Sequence, residues 1–416
     1  MTRFLAYTAP ATGHVFPLVP GLLELQRRGH DVHVRTLPEL LDTLRAAGLT
    51  DVSPIAPEVL AVRVTDYEAT SGAERLSGGQ ADLVHRGRFD GPDLQDAIAA
   101  HRPDVLLVDA IAYGAQTVAE ASPLPSAVVM PSVLPWPGRG IPPYGLGLAP
   151  MAGPLGRLRD RVLWKVVERA FGKAMLPGLN ELRVAAGLAP FRSPLEQLPS
   201  HDGVIVLTGE PLEYPRTDLP AAFHLVGAQP WDPPADRPAW LDEPGDPWVL
   251  VTCSSDYQGD EDLARVAVEA LRDEPVRVLM TLVDAHDTAG LTSAGNVRVE
   301  RFVPHGQVLP ECAVVVTHGG FGIVSKSLAA GVPSVVVPFG RDQPEIARRV
   351  SEAGAGVTLR AGDLTPERLR DAVRRARALD ASTQRAATVL REHGGAGRFA
   401  DAALSVAGAG VAGCRA

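Results

Sequence analysis

His14, in the string GHVFP, and Asp109, the last residue of the apolar run PDVLLVD, place an imidazole and a carboxylate at the ends of two strand-like segments. An imidazole with an ordinary pKa of about 6.5 takes a proton from a hydroxyl near neutral pH. A carboxylate on its far ring nitrogen would orient the ring and stabilise the imidazolium. An unpaired carboxylate at the end of a buried strand is costly, so Asp109 needs a partner. Capping a helix that begins near Ala112 is a second use open to it. The other constellation is VTHGGFG, where His318, Gly319 and Gly320 follow the apolar run Ala313 to Thr317 and precede a helix from about Phe321 to Ala330. Such a turn offers the N–H groups of Gly319, Gly320 and Phe321 at the positive end of a helix, and glycines let a phosphate come close. A diphosphate suits it, with His318 as an additional side-chain donor.

Weaker candidates surround these two. Ser254 and Ser255, after the apolar run Trp248 to Thr252, offer hydroxyls to the same phosphate or serve as polar residues at a helix start. Asp342 and Gln343 could hydrogen-bond sugar hydroxyls. Asp342 with Glu345 also reads as a capping arrangement for a helix through Val350. The Pro- and Gly-rich stretch from Ser132 to Pro154 carries Trp136 and Tyr144, which would suit a hydrophobic small molecule or pack on their own domain.

Positioning these groups requires an α/β alternation. A strand over Phe4 to Thr8, a helix from about Phe16 to Arg28 and a strand over Asp31 to Thr36 form a βαβ opening, which predicts a parallel, doubly wound sheet with its sites beyond the carboxyl ends of the strands. Apolar runs at Pro103 to Asp109, Ser126 to Pro131 and Gly203 to Leu207 continue that sheet. Glu58 to Gln80, with Gly72, Gly78 and Gly79, reads as an irregular loop over the site. Helical spacing returns from Leu155 to about Ala186. Proline density then rises, placing an interdomain connector near Glu210 to Asp218 and the start of a second domain by Phe223. The second domain repeats the alternation, and Ala- and Arg-rich helices end the chain. The division expected is residues 1–215 for the first domain and 216–416 for the second, with the terminal helices able to pack back on the first.

With 416 residues, 45% hydrophobic and 21% charged, the chain has material for two cores. Its net charge of −9 argues against a nucleic-acid partner. Three cysteines, Cys253, Cys312 and Cys414, are too few and too scattered for a disulfide framework or a metal cluster, and a cytoplasmic setting is expected. No apolar stretch approaches the roughly 20 residues that span a bilayer, and no basic or amphipathic membrane face is apparent.

VTHGGFG followed by LAAGVPSVVVPFGRDQ resembles the donor-binding signature of nucleotide-sugar glycosyltransferases of the GT-B fold, in particular the actinobacterial antibiotic enzymes of macrolide and enediyne type that use TDP-deoxysugars. The resemblance implies two Rossmann-like doubly wound domains facing across a cleft. It also implies an inverting, metal-independent transfer of a deoxysugar from a TDP-sugar co-substrate to a hydroxyl of a hydrophobic aglycone, with no further cofactor. Residue by residue, His14 matches the family's base, Asp109 its partner and His318 the diphosphate ligand. Phe302 and Val303 fall where the family holds the nucleobase. Two positions depart from the pattern. Ile323 stands where many relatives carry a hydroxyl, and Lys326 where UDP-sugar users carry a ribose-binding glutamate, which fits a TDP donor. The resemblance implies no membrane or nucleic-acid partner and allows a homodimer. The rival readings are a non-catalytic TDP-binding helper of a partner enzyme and a GT-B sugar-nucleotide epimerase. The full Gly-x-Gly-x-x-Gly pattern of a dinucleotide oxidoreductase is lacking.

Overall fold

A computed structural model describes residues 1–64, 72–254, 260–282 and 291–413. The chain opens with β1 (Arg3–Tyr7), α1 (Thr12–Val15), α2 (Val19–Arg27), β2 (Asp31–Thr36), α3 (Leu41–Ala47), β3 (Val52–Pro54), α4 (Pro57–Ala61) and α5 (Gly72–His101). There follow β4 (Val105–Asp109), α6 (Tyr113–Ala121), β5 (Ser126–Met130), α7 (Gly153–Ala185), β6 (Gly203–Val206) and β7 (Phe223–Leu225). These seven strands form one parallel sheet in the order β3-β2-β1-β4-β5-β6-β7. The second half supplies β8 (Trp248–Thr252), α8 (Glu261–Leu271), β9 (Arg277–Thr281), β10 (Val297–Glu300), α9 (His305–Val308), β11 (Cys312–Thr317), α10 (Phe321–Ala329) and β12 (Ser334–Val336). It closes with α11 (Gln343–Glu352), β13 (Gly356–Thr358), α12 (Pro366–Arg377), α13 (Asp380–Glu392) and α14 (Ala396–Gly413). Its parallel sheet has the order β10-β9-β8-β11-β12-β13. These are two doubly wound α/β domains.

The strand orders decide where the sites lie. In the first sheet the order reverses between β1 and β4, which pair from Phe4 with Val105 to Tyr7 with Val108. In the second it reverses between β8 and β11, where Thr252 lies beside Thr317. Open parallel sheets hold ligands at such reversals, beyond the carboxyl ends. The central strands are apolar on both faces, as helix-covered parallel strands must be; all five residues of β4 are buried.

Several sequence expectations are corrected. The first helix begins at Thr12 and is broken by a tight turn at Phe16–Leu18. Pro17 and Pro20 sit in first-turn positions of the pieces that follow, where a missing N–H costs nothing. Most of the Glu58 to Gln80 region expected to be loop is helix, in α4 and the start of α5; residues 65–71 lie outside the described residues. Gly87 of α5 is a packing residue, because a Cβ there would lie 2.9 Å from the backbone nitrogen of Gly114 in α6. Phe223 does not open the second domain. Its strand pairs with β6, so the first sheet runs past the division expected at residue 215. The short edge strands β3, β7 and β13, three residues each, leave no period to read. On α7, Leu155, Leu158, Val162 and Val166 are exposed beside exposed Arg157, Arg161, Lys165 and Arg169, an amphipathic basic face not found in the sequence. No described helix is long and apolar enough to cross a membrane.

The domains are tied together. Phe399 of α14 fills the space beside Gly21 of α2, and Arg28 bonds Asp401, so the terminal helix returns to the first sheet's core. Val133 and Leu212 share an apolar cluster with Phe321, Val324 and Ile346. The loop after β5 is held by α11: Gly147 N–H donates to Glu345 at 2.9 Å, and Arg348 donates to the Gly147 carbonyl at 3.1 Å.

Candidate active site

His14 lies in the helical turn after β1, and Asp109 ends the neighbouring strand β4. Their side chains meet. His14 Nδ1 is 2.9 Å from Asp109 Oδ2 and 3.1 Å from Oδ1. Asp109 is fully buried, whereas 26% of the His14 side chain is exposed. With Nδ1–H donating to the carboxylate, Nε2 is left as the basic nitrogen. Asp109 does not cap α6, whose start has no side-chain cap. Its Oδ1 accepts the Ile111 N–H at 2.9 Å, and its carbonyl accepts from Gln116 at 2.7 Å. The first fixes the carboxylate's direction, and the second holds the backbone that carries it.

Burial pushes the His14 imidazole toward the neutral form, but the charge and hydrogen bond of Asp109 pull harder, and Asp342 adds to them; the net pKa is raised. Activity that needs neutral His14 should therefore fall on the acid side from a pH above the ordinary histidine value of about 6.5. In Asp109→Asn the carboxylate's pull is removed while burial remains. The acid limb of kcat/KM should move to lower pH as the plateau drops, which a pH–rate profile of both proteins will show.

Asp342 belongs to the other domain. Its Oδ2 accepts from Ser132 Oγ at 2.6 Å, a bond between the loop after β5 and the residue before α11. The carboxyl-end loops of the two sheets thus meet, with His14 and Asp342 within electrostatic reach of each other. The expected capping role of Asp342 is not realised: it makes no cap bond, and Glu345 turns to Gly147 and Arg349. The helix start is set instead by Gln343, whose Oε1 accepts the N–H groups of Phe339 at 2.7 Å and Gly340 at 3.1 Å. Tyr144 packs against the apolar cluster that the two domains share; burial, then Asp342 and Glu345, keep its hydroxyl protonated. Trp136, by contrast, packs on Phe223 of its own domain at 4.8 Å between ring centroids. Tyr113, which the sequence reading passed over, is buried beside Asp109 and donates to Gln80 at 2.6 Å. A tyrosine four residues past a strand-ending Asp was the only available signal.

Across the gap, His318 follows β11 and is buried. A Cβ on Gly320 would come within 2.6 Å of its Nε2, so the imidazole rests on the backbone that opens α10. Gly319 has φ +101° and lies against Val336; no other residue takes both that conformation and that space cheaply. The N–H groups of Phe321, Gly322 and Ile323 precede the first bond into the helix, Val324 N–H to the Gly320 carbonyl, so they can serve an anion. The Phe321 ring itself is buried in the interdomain cluster. Ser254 N–H donates to Asp260 at 2.7 Å; Ser255 lies outside the described residues. Phe302 is 56% exposed and available for stacking, while Val303 is packed in an apolar cluster with Trp248 and Leu250, leaving only its backbone for a base. Lys326 is paired with Asp232 at 2.6 Å.

Residues 268–397 match the family described as erythromycin biosynthesis protein CIII-like, C-terminal domain. Over 384 residues the chain is 32% identical to 4'-demethylrebeccamycin synthase of Lentzea aerocolonigenes, covering 89% of this chain and 91% of that one. The chain belongs to the antibiotic-biosynthesis glycosyltransferases. It is also 29% identical to the 3-alpha-mycarosylerythronolide B desosaminyl transferase of Saccharopolyspora erythraea, over 90% of each chain. In fold this glycosyltransferase is similar to a calicheamicin glycosyltransferase, with a TM-score of 0.73 at 24% identity over 98% of both chains. It is similar as well to the glycosyltransferase VinC in complex with DTDP, with a TM-score of 0.72 at 23% identity over 97% of this chain and 99% of that one. The architecture is GT-B, as the sequence resemblance implied.

Proposed function

We propose that this glycosyltransferase carries out an inverting, metal-independent transfer of a deoxysugar from a TDP carrier to a hydroxyl of a hydrophobic natural-product aglycone. The observation that carries the reading is the His14–Asp109 pair, bonded through Nδ1 at the reversal point of the first sheet and facing Asp342 of the other domain. Asp109 holds Nδ1–H, so Nε2 takes the acceptor's hydroxyl proton. The oxygen forms its bond to the anomeric carbon as the bond from that carbon to the diphosphate oxygen breaks, with the electron pair leaving on the diphosphate. His318 and the first amides of α10 stabilise that charge where it develops. With the base in one domain and the leaving group held by the other, attack is from the opposite face, and one displacement inverts the centre. Asp342 and Gln343 stand beside the sugar, and Phe302 supplies a ring for the nucleobase. A TDP donor is supported by the DTDP complex of VinC and by Lys326, whose charge Asp232 holds.

The protein alone, supplied with TDP-deoxysugars, polyketide and aromatic aglycones and excess EDTA, should form a glycoside of inverted anomeric configuration by NMR. That result also removes the helper and epimerase readings. Retained configuration, or turnover lost with EDTA and restored by magnesium, would overturn the proposal.

A further inference from the structure

Beneath the dyad, α5 and α6 cross with their backbones in contact. A Cβ on Gly87 would meet Gly114 N at 2.9 Å, and one on Gly114 would meet Asp90 Oδ1 at 2.5 Å. That approach brings two buried charges of α5 under the turn that carries Asp109. Arg86, only 3% exposed, donates to the Ile111 carbonyl at 2.8 Å. Asp90, fully buried, accepts the Ala115 N–H at 2.8 Å through Oδ1. The same residue 111 gives its N–H to Asp109 Oδ1. Its peptide groups are therefore gripped on one side by the dyad's carboxylate and on the other by Arg86. Arg86 Nε and Asp90 Oδ2 stand 3.8 Å apart, each without a hydrogen-bond partner. Burial raises the Asp90 carboxyl to about 7, and a pair so buried and so incompletely bonded contributes little to stability.

We propose that Arg86 and Asp90 are positioning residues of the transfer reaction, holding the turn from Asp109 to Ala112 so that the Asp109 carboxylate meets His14 Nδ1. The inference rests on His14 being the base. Three charged groups act on His14: Asp109 from β4 and Asp342 from the start of α11 raise its pKa, and Arg86 from α5 lowers it. Burial is the largest lowering effect; Arg86 adds to it and opposes the two carboxylates, which still hold the net pKa raised.

The test assays Arg86→Met, Arg86→Lys and Asp90→Asn beside His14→Ala, each as the full chain. Arg86→Met should lower kcat by roughly 10- to 100-fold, by analogy with the loss of a partner that orients a metal-binding histidine, with KM for the TDP-sugar unchanged. Its acid limb of kcat/KM should move to higher pH, because the opposing cation is gone. Arg86→Lys keeps the charge and loses the fork, so kcat should fall with the limb in place. Asp90→Asn, nearly isosteric, should lower kcat more weakly and carries the test if the methionine variant does not fold. An unshifted limb with wild-type kcat in Arg86→Met, or a loss confined to unfolding temperature, overturns the proposal. If His14→Ala is inactive in that case, only the roles of Arg86 and Asp90 fall; if His14→Ala turns over normally, the base assignment falls with them.

Discussion

His14→Ala is expected to lower turnover by roughly 10²- to 10⁴-fold, the range a general base contributes. The imidazole is bonded to buried Asp109 and keeps part of its surface open, so alanine removes the basic nitrogen without unpacking a core. It also leaves Asp109 with the Ile111 N–H alone, a buried carboxylate short of one partner. Donor binding should persist, because His318, Gly319 and Gly320 belong to the other domain. Steady-state rates and a calorimetric titration with TDP separate the two effects. Turnover within tenfold of the parent protein, or a matching loss of TDP affinity, would contradict the base assignment.

Arg349→Met should produce the largest loss of stability, about 3–5 kcal/mol, the cost of leaving buried charge uncompensated. Arg349 is 2% exposed and joins Glu345 of its own helix to Glu213 of the first domain, with both contacts at 3.2 Å. Methionine fills the volume but leaves two buried carboxylates facing each other, Glu213 retaining Arg216 at 3.4 Å and Glu345 retaining the Gly147 N–H. Burial already raises the Glu345 carboxyl, against the pull of Arg349. Without that cation it rises further, so the folded variant binds protons more tightly than the unfolded chain, and the deficit should shrink as pH falls from 8 toward 5.5. Thermal unfolding at several pH values checks this. A midpoint unchanged at pH 8 would show that the contact does not hold the domains.

Apolar runs at Trp248 to Thr252 and Ala313 to Thr317 became central strands because a parallel strand covered on both faces has to be largely apolar. The His318 turn was visible because glycine, histidine and a following apolar helix are contiguous. Gly72, Gly78 and Gly79, which read as loop signals, belong to α5, and Gly87 of the same helix lies against Gly114 of α6, a contact no local pattern announces. The residues around the site were harder still: Ser132, Tyr113 and Arg86 have unremarkable neighbours in sequence, and their meaning comes from atoms as many as 210 positions away.

By itself the sequence determined the α/β alternation, the glycine-lined helix start at residues 318 to 321, and an imidazole and a carboxylate at strand ends, since each is encoded within a few adjoining residues. Only the tertiary structure decided that β1 lies beside β4, that Asp342 answers to Ser132 instead of its own helix, and that Trp136 packs on its own domain while Tyr144 packs against the cluster between the domains. Those outcomes depend on strand order and on which surfaces of two domains exclude water together, and no short stretch of chain contains that information.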